Sequence, residues 1–231
     1  AELAPDGGGG GGGGGPPARE SHRVLVVPPG AAVHCVVASR DPAQRNSAIE
    51  VYWQIGRDAT AAAAADRDAT RPRGAGAHER LLADLLEQIL EEPLFDALRT
   101  KEQLGYSVSC GARWTDGVVG FGVRVVSESA SPAKLLARLD AFLETFRGEL
   151  ARMDGAEFRE HAAALAARKL EPATTLEDAA ADEWEHLAHR WREPAGVAVA
   201  RADAAMLARV TPAMVRAAYD SWLCPKSGGA Q

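Results

Sequence analysis

Apolar and polar residues alternate most cleanly between Ser47 and Ile55. Ile49, Val51, Trp53 and Ile55 fall on one side, and Glu50, Tyr52 and Gln54 on the other. A period of two with one apolar set predicts a strand that buries one face. The spacing changes at His78. Leu81, Leu82, Leu85, Leu86, Ile89 and Leu90 recur at three and four residues, which predicts an amphipathic helix from His78 to Glu91. Pro93 then bends that helix or starts a new segment, in whose first turn its missing N–H costs nothing. This segment carries Phe95, Leu98 and Arg99. Gly105 is expected to end it, and Tyr106 to open a strand.

Residues 106–110 and 118–126 read as a hairpin joined by Trp114-Thr115-Asp116-Gly117, since Asp-Gly is a strong turn signal. Val119, Phe121, Val123 and Val125 share one face. Gly120 and Gly122 lie on the other, where they leave room for a helix or a substrate backbone. Ser131-Pro132 reads as a helix start, and Leu135, Leu139, Phe142, Phe146 and Leu150 give that helix its stripe. Asp154 with Glu157 reads as a capping pair for the next helix, which ends before Pro172. A further helix from Thr175 places Leu176, Ala180, Trp184, Leu187 and Trp191 on one face. A shorter segment spans Ala202–Arg209. The last helix starts at Thr211-Pro212 and aligns Val215, Tyr219 and Trp222.

The N-terminal part has less pattern. Residues 1–20 contain the unbroken run Gly7–Gly15 and read as a tail or linker. Arg23–Val27 and Ala32–Ala38 are β-type runs. Residues 57–77 hold alanines and arginines but no large apolar residue, and read as an exposed insertion. Residues 225–231 read as a second tail. The domain is therefore expected at 21–224. Strands, helix, hairpin and then a run of helices make an α+β fold, an antiparallel sheet with helices packed on one face.

Composition adds bounds. The chain has 231 residues, 46% of them hydrophobic, with a net charge of −6. That size suits one domain. The acidic balance argues against nucleic acid or an anionic membrane as the main partner. No apolar run approaches the roughly 20 residues of a membrane span. Cys35, Cys110 and Cys224 are odd in number and far apart. They favour reduced thiols in an intracellular compartment, the cytoplasm or an organelle, over a disulfide framework. The chain begins at Ala1, which is expected of a fragment of a longer protein.

Candidate chemistry is sparse. Asp182-Glu183-Trp184-Glu185-His186 and Glu157-Phe158-Arg159-Glu160-His161 each approach His-x-x-Glu-His, but an acid replaces the first His. With 32 acids and 6 His, such runs arise by chance, and His186 and His189 read as surface imidazoles. No metal ligand is expected. Cys110 has no neighbouring His and reads as a small buried hydrophobe. Arg99 and Tyr106 remain. A guanidinium and a phenol near one helix–strand junction are donors able to hold a carbonyl or an oxyanion. A solvated helix-face Arg and a half-buried strand Tyr account for the same residues.

Glu92-Pro93-Leu94-Phe95-Asp96-Ala97-Leu98-Arg99-Thr100-Lys101-Glu102-Gln103-Leu104-Gly105-Tyr106 resembles the signature in the last domain of insulin-degrading enzyme, nardilysin and the bacterial pitrilysins. Asn46–Gln54, Ala141–Leu143 and His161–Leu170 extend the likeness to about residue 224. The resemblance implies the processing-peptidase-like fold and a zinc endopeptidase whose metal is held by another domain or chain. It implies an N-terminal metal-bearing half as partner, peptides as substrates, and catalytic roles for Arg99 and Tyr106 in holding the substrate backbone near the scissile bond. Alone, the chain is then expected to be inactive. By the same resemblance a strand is expected after the last helix, and the residues that follow Trp222 do not read as one, which is expected to leave a sheet edge open. The alternative is a structural or substrate-holding subunit of the same fold.

Overall fold

The computed structural model describes residues 25–28, 30–57, 75–115, 118–185 and 196–224. The tails expected at 1–20 and 225–231, most of the insertion, the Asp116-Gly117 turn, and His186, Leu187, His189 and Trp191 lie outside the described residues.

Three strands form the sheet: β1 (Ser47–Arg57), β2 (Ser107–Thr115) and β3 (Val118–Ser127), in the order β1-β3-β2. Both pairings are antiparallel, with Val51 and Cys110 opposite Val123, and Trp53 and Ala112 opposite Phe121. The inner face is apolar by the period-two rule. Val119, Phe121, Val123 and Val125 are buried, and Ile49, Val51, Trp53 and Ile55 pack beside them. Helix α1 (Ala75–Phe95) lies against β2 and supplies Leu81, Leu85, Leu86, Leu90 and Leu94 at full burial.

Helices α2 (Pro132–Arg152), α3 (Gly155–Leu170), α4 (Leu176–Glu185), α5 (Gly196–Leu207) and α6 (Pro212–Trp222) follow. Their starts are set by local chemistry. Ser131 accepts from the N–H of Lys134, Asp154 from those of Ala156 and Glu157, and Thr211 from that of Met214. These side chains satisfy donors that the first helical turn leaves free. Leu135, Leu139, Leu143, Phe146 and Leu150 bury the α2 stripe, while Phe142 is half-buried and stacks on Phe146 at 5.6 Å. Tyr219 of α6 is buried and donates its hydroxyl to the carbonyl of Leu143, 2.7 Å away. Burial pushes its phenol well above the usual range.

A buried ion cluster ties the helices together. Arg80 and Asp84 of α1, Lys169 of α3 and Asp203 of α5 meet there. Arg80 binds both Asp203 oxygens; Lys169 reaches Asp84 at 2.5 Å and Asp203 at 3.3 Å.

Several expectations are corrected. The runs at 23–27 and 32–38 form no strand among the described residues, and Val33, Val36 and Val37 are exposed. Instead of ladder pairing, the Gln54 amide bonds the carbonyl of Leu25 and the N–H of Val27. Helix α1 starts at Ala75, so the insertion is shorter than expected at its end. Pro93 does not begin a new segment; it lies inside α1. The space at Gly120 is not open, since a Cβ there would meet the ring of Tyr52, whereas at Gly122 a Cβ would only touch the Val51 carbonyl at 3.9 Å. Leu176 is 88% exposed and Trp184 66%, so the apolar stripe of α4 faces away from the core. Among the described residues no helix is long and apolar enough to cross a membrane.

Candidate functional site

The end of α1 does not stop as an ordinary helix. Residues Asp96–Lys101 continue it as a π-helical turn, closed by the Glu102 N–H on the carbonyl of Ala97 at 3.0 Å. Such wide turns are uncommon and recur at functional sites. Leu98 is buried and anchors the turn. Arg99 is exposed, with its guanidinium 4.8 Å above the ring of Phe95, a cation–π contact. Lys101 pairs with Asp96 at 2.7 Å, and Arg138 of α2 holds Glu102 through two bonds of 2.7 Å. That second pair holds the Glu102 carboxyl below the usual carboxylate range.

The reversal into β2 rests on residues other than those expected. Gln103, not Gly105, takes the left-handed conformation, with φ of 51°. Gly105 has a different role. A Cβ there would lie 2.8 Å from Val125 Cγ1 and 3.0 Å from the Val126 carbonyl. The absent side chain lets the chain run against β3 and brings the Tyr106 N–H to Val126 O at 3.0 Å. Gly105→Ala is expected to destabilise the domain by about 1–3 kcal/mol through overpacking. Urea unfolding checks it; a loss under a few tenths of a kcal/mol would refute the close-approach argument.

Strand β2 begins at Ser107, one residue later than expected. Tyr106 is 48% exposed, and its hydroxyl accepts a hydrogen bond from Asn46 Nδ2 at 3.0 Å. Asn46 precedes β1, sixty residues earlier in the chain, so the bond spans the end of the central strand. It leaves the single phenolic proton of Tyr106 available for another acceptor. No hydrogen bond joins Arg99 to Tyr106. The two side chains stand on consecutive pieces of one junction, each with its own partner.

Zinc does not fit the described residues: no three His, Cys, Asp or Glu side chains among them converge on one point. Glu157 and His161 line an open groove of about 620 Å³, together with α1 and α2 residues, but Arg99 and Tyr106 do not. Cys110 packs on the inner sheet face, where burial, aided by Glu87 and Glu91, pushes its thiol up to about 12. Cys35 is exposed. Iodoacetamide at pH 8 is expected to label Cys35 at least tenfold faster than Cys110, because the thiolate is the reactive form. Peptide mapping checks this, and equal labelling would contradict the burial of Cys110.

Glu87 of α1 sits 2.9 Å from the N–H of Ala112, on the side of β2 away from β3. Burial raises its carboxyl above the usual carboxylate range, with the Ala112 N–H pulling the other way. Periodicity places Glu87 on the polar side of α1 and gives no sign of this contact. Nor could it find the Asn46–Tyr106 bond, which links two loops distant in sequence.

Comparison with known proteins bears on the family and the fold. The family described as PQQ synthase PqqF-like, C-terminal lobe domain 4, matches residues 85–184. A nardilysin-like protein of Arabidopsis thaliana is 33% identical over 71% of this chain and 15% of its own length. Insulin-degrading enzyme of Drosophila melanogaster is 37% identical over 54% of this chain and 13% of its own. The chain thus spans under a sixth of the length of these relatives. Among solved structures, pitrilysin superposes with a TM-score of 0.62 at 22% identity, over 78% of this chain and 17% of that one. An M16-like peptidase from Alicyclobacillus acidocaldarius gives 0.51 at 14% identity, over 79% and 39%. These two likenesses concern the fold.

Proposed function

This chain belongs to the peptidase family of nardilysin, insulin-degrading enzyme and pitrilysin, where it matches the C-terminal lobe, and from that premise we propose that it is the substrate-binding C-terminal domain of a zinc endopeptidase. Zinc belongs to the chemistry of the family, one relative being named a zinc protease. In this reading the metal is held by an N-terminal half, and the present chain walls part of a chamber that receives peptides. An exposed free thiol at Cys35 suits a reducing, intracellular setting.

Arg99 and Tyr106 are the residues that act. As a peptide carbonyl is attacked, its oxygen gains negative charge. A guanidinium is a permanent cation with planar donors, and a phenol is a neutral donor. Both stabilise that oxygen best when they are held in place beforehand. The observation that carries the reading is the Asn46 Nδ2 bond to the Tyr106 hydroxyl, which fixes the phenol oxygen and keeps its proton for the substrate. The π-helical turn similarly holds Arg99 over Phe95 in an exposed position.

The test is reconstitution. This chain is combined with a metal-bearing N-terminal half from the same source, and cleavage of a fluorogenic peptide is compared for the wild type, Arg99→Ala and Tyr106→Phe. Activity that needs both halves and falls with either substitution supports the proposal. Cleavage indifferent to both would leave the domain a structural wall.

A further inference from the structure

The groove beside the π-helical turn is not used by the proposed chemistry, yet it has the features of a docking surface. Its floor is apolar: Ile89 and Phe146 are buried, and Pro93, Phe142 and Met153 are half-buried. Pro93 has no N–H to donate to the carbonyl of Ile89 four residues earlier, so a backbone acceptor in this wall lacks its usual helical partner. The rim is acidic. Glu92, Glu149 and Glu157 are exposed, and among the described residues none of them forms a hydrogen bond or ion pair with a cation, although Glu149 lies within the field of Lys101. The two lining cations are already paired within the same wall, Lys101 with Asp96 and Arg138 with Glu102.

An apolar, aromatic floor ringed by three exposed carboxylates selects against acidic or uniformly polar ligands. It fits a chain that presents one large apolar side chain between cationic ones. We propose that this groove binds a basic peptide segment, an Arg- or Lys-bearing stretch with a bulky apolar residue seated over Phe142. The apolar side chain gains from burial, and the cations gain from the rim through a field weakened by salt. The proposal does not depend on the roles of Arg99 and Tyr106, neither of which lines the groove.

The probe is a fluorescein-labelled peptide of sequence Arg-Lys-Leu-Arg-Phe-Arg-Lys, titrated by fluorescence anisotropy against the full 231-residue chain. Saturable binding is expected, weakened severalfold between 50 and 300 mM salt. The triple variant Glu92→Gln, Glu149→Gln, Glu157→Gln is expected to weaken it about tenfold or more, at roughly half a kcal/mol per exposed carboxylate. Thr145→Arg, an exposed change on α2 that fills the groove with a cation, is expected to abolish it. A control with the same charge loss elsewhere, Glu128→Gln, Glu171→Gln and Glu177→Gln, should change it less than threefold. Equal loss in both triple variants would reduce the effect to general electrostatics and overturn the proposal. So would a peptide that fails to saturate, or binding untouched by Thr145→Arg.

Discussion

Replacing Asp203 with alanine is expected to remove about 3–5 kcal/mol of stability, the cost of leaving a buried ion without its partner. Asp203 is 3% exposed and Arg80 2%, and both Asp203 oxygens are taken by the Arg80 guanidinium. Lys169 adds a third contact at 3.3 Å while holding Asp84 at 2.5 Å. Without Asp203, two cations face a single carboxylate, and Arg80, 2% exposed, loses both of its bonds to Asp203. A domain margin of about 5–15 kcal/mol makes that loss severe. Urea denaturation should show a lower midpoint with an unchanged slope. A second variant separates charge from packing: Arg80→Met combined with Asp203→Leu should recover most of the loss, because replacing a whole buried pair by apolar groups is often neutral. A single-variant cost below about 1 kcal/mol would mean that the cluster is hydrated and marginal.

The second large effect concerns rate. In the reconstituted peptidase, Tyr106→Phe is expected to lower kcat about 10²–10³-fold, the cost of removing one preorganised donor to a developing oxyanion. KM should change little, since the interaction strengthens only as charge appears on the peptide oxygen. Removing the phenolic O–H spares the ring and forfeits only the exposed bond from Asn46, so the fold is expected to hold. Arg99→Ala also removes the stacking on Phe95. Arg99→Lys is the cleaner partner, keeping the charge and discarding the planar fork. The double variant should cost less than the sum of the singles, as expected for donors that serve one oxygen. A Tyr106→Phe enzyme within threefold of wild type would remove the phenol from the mechanism.

Elements whose pattern is long and one-sided were legible in the sequence. The α1 leucines, the β1 alternation and the Val119–Val125 face each buried the side their period marks. The caps at Ser131, Asp154 and Thr211 also follow from local rules. Short apolar runs misled: Ala32–Ala38 has β propensity, but among the described residues it pairs with no strand. Leu176 and Trp184 have helical spacing, yet spacing cannot say what stands opposite a stripe. At the junction, the residues were legible and the geometry was not. A glycine after a helix reads as its cap, whereas here Gly105 is required by the nearness of Val125, and Gln103 makes the turn. The ion cluster joins charges on three helices, which no periodicity links.

The Glu87 carboxylate against the N–H of Ala112 reaches beyond its own hydrogen bond. A strand at the margin of a sheet invites copies of itself to dock and propagate. Here one side chain from α1 takes up a donor that an incoming polypeptide would need, and keeps an anion at the point of approach. Glu87→Ala would leave the fold largely intact and hand that donor to any neighbouring molecule, so its signature would be slow self-association rather than unfolding.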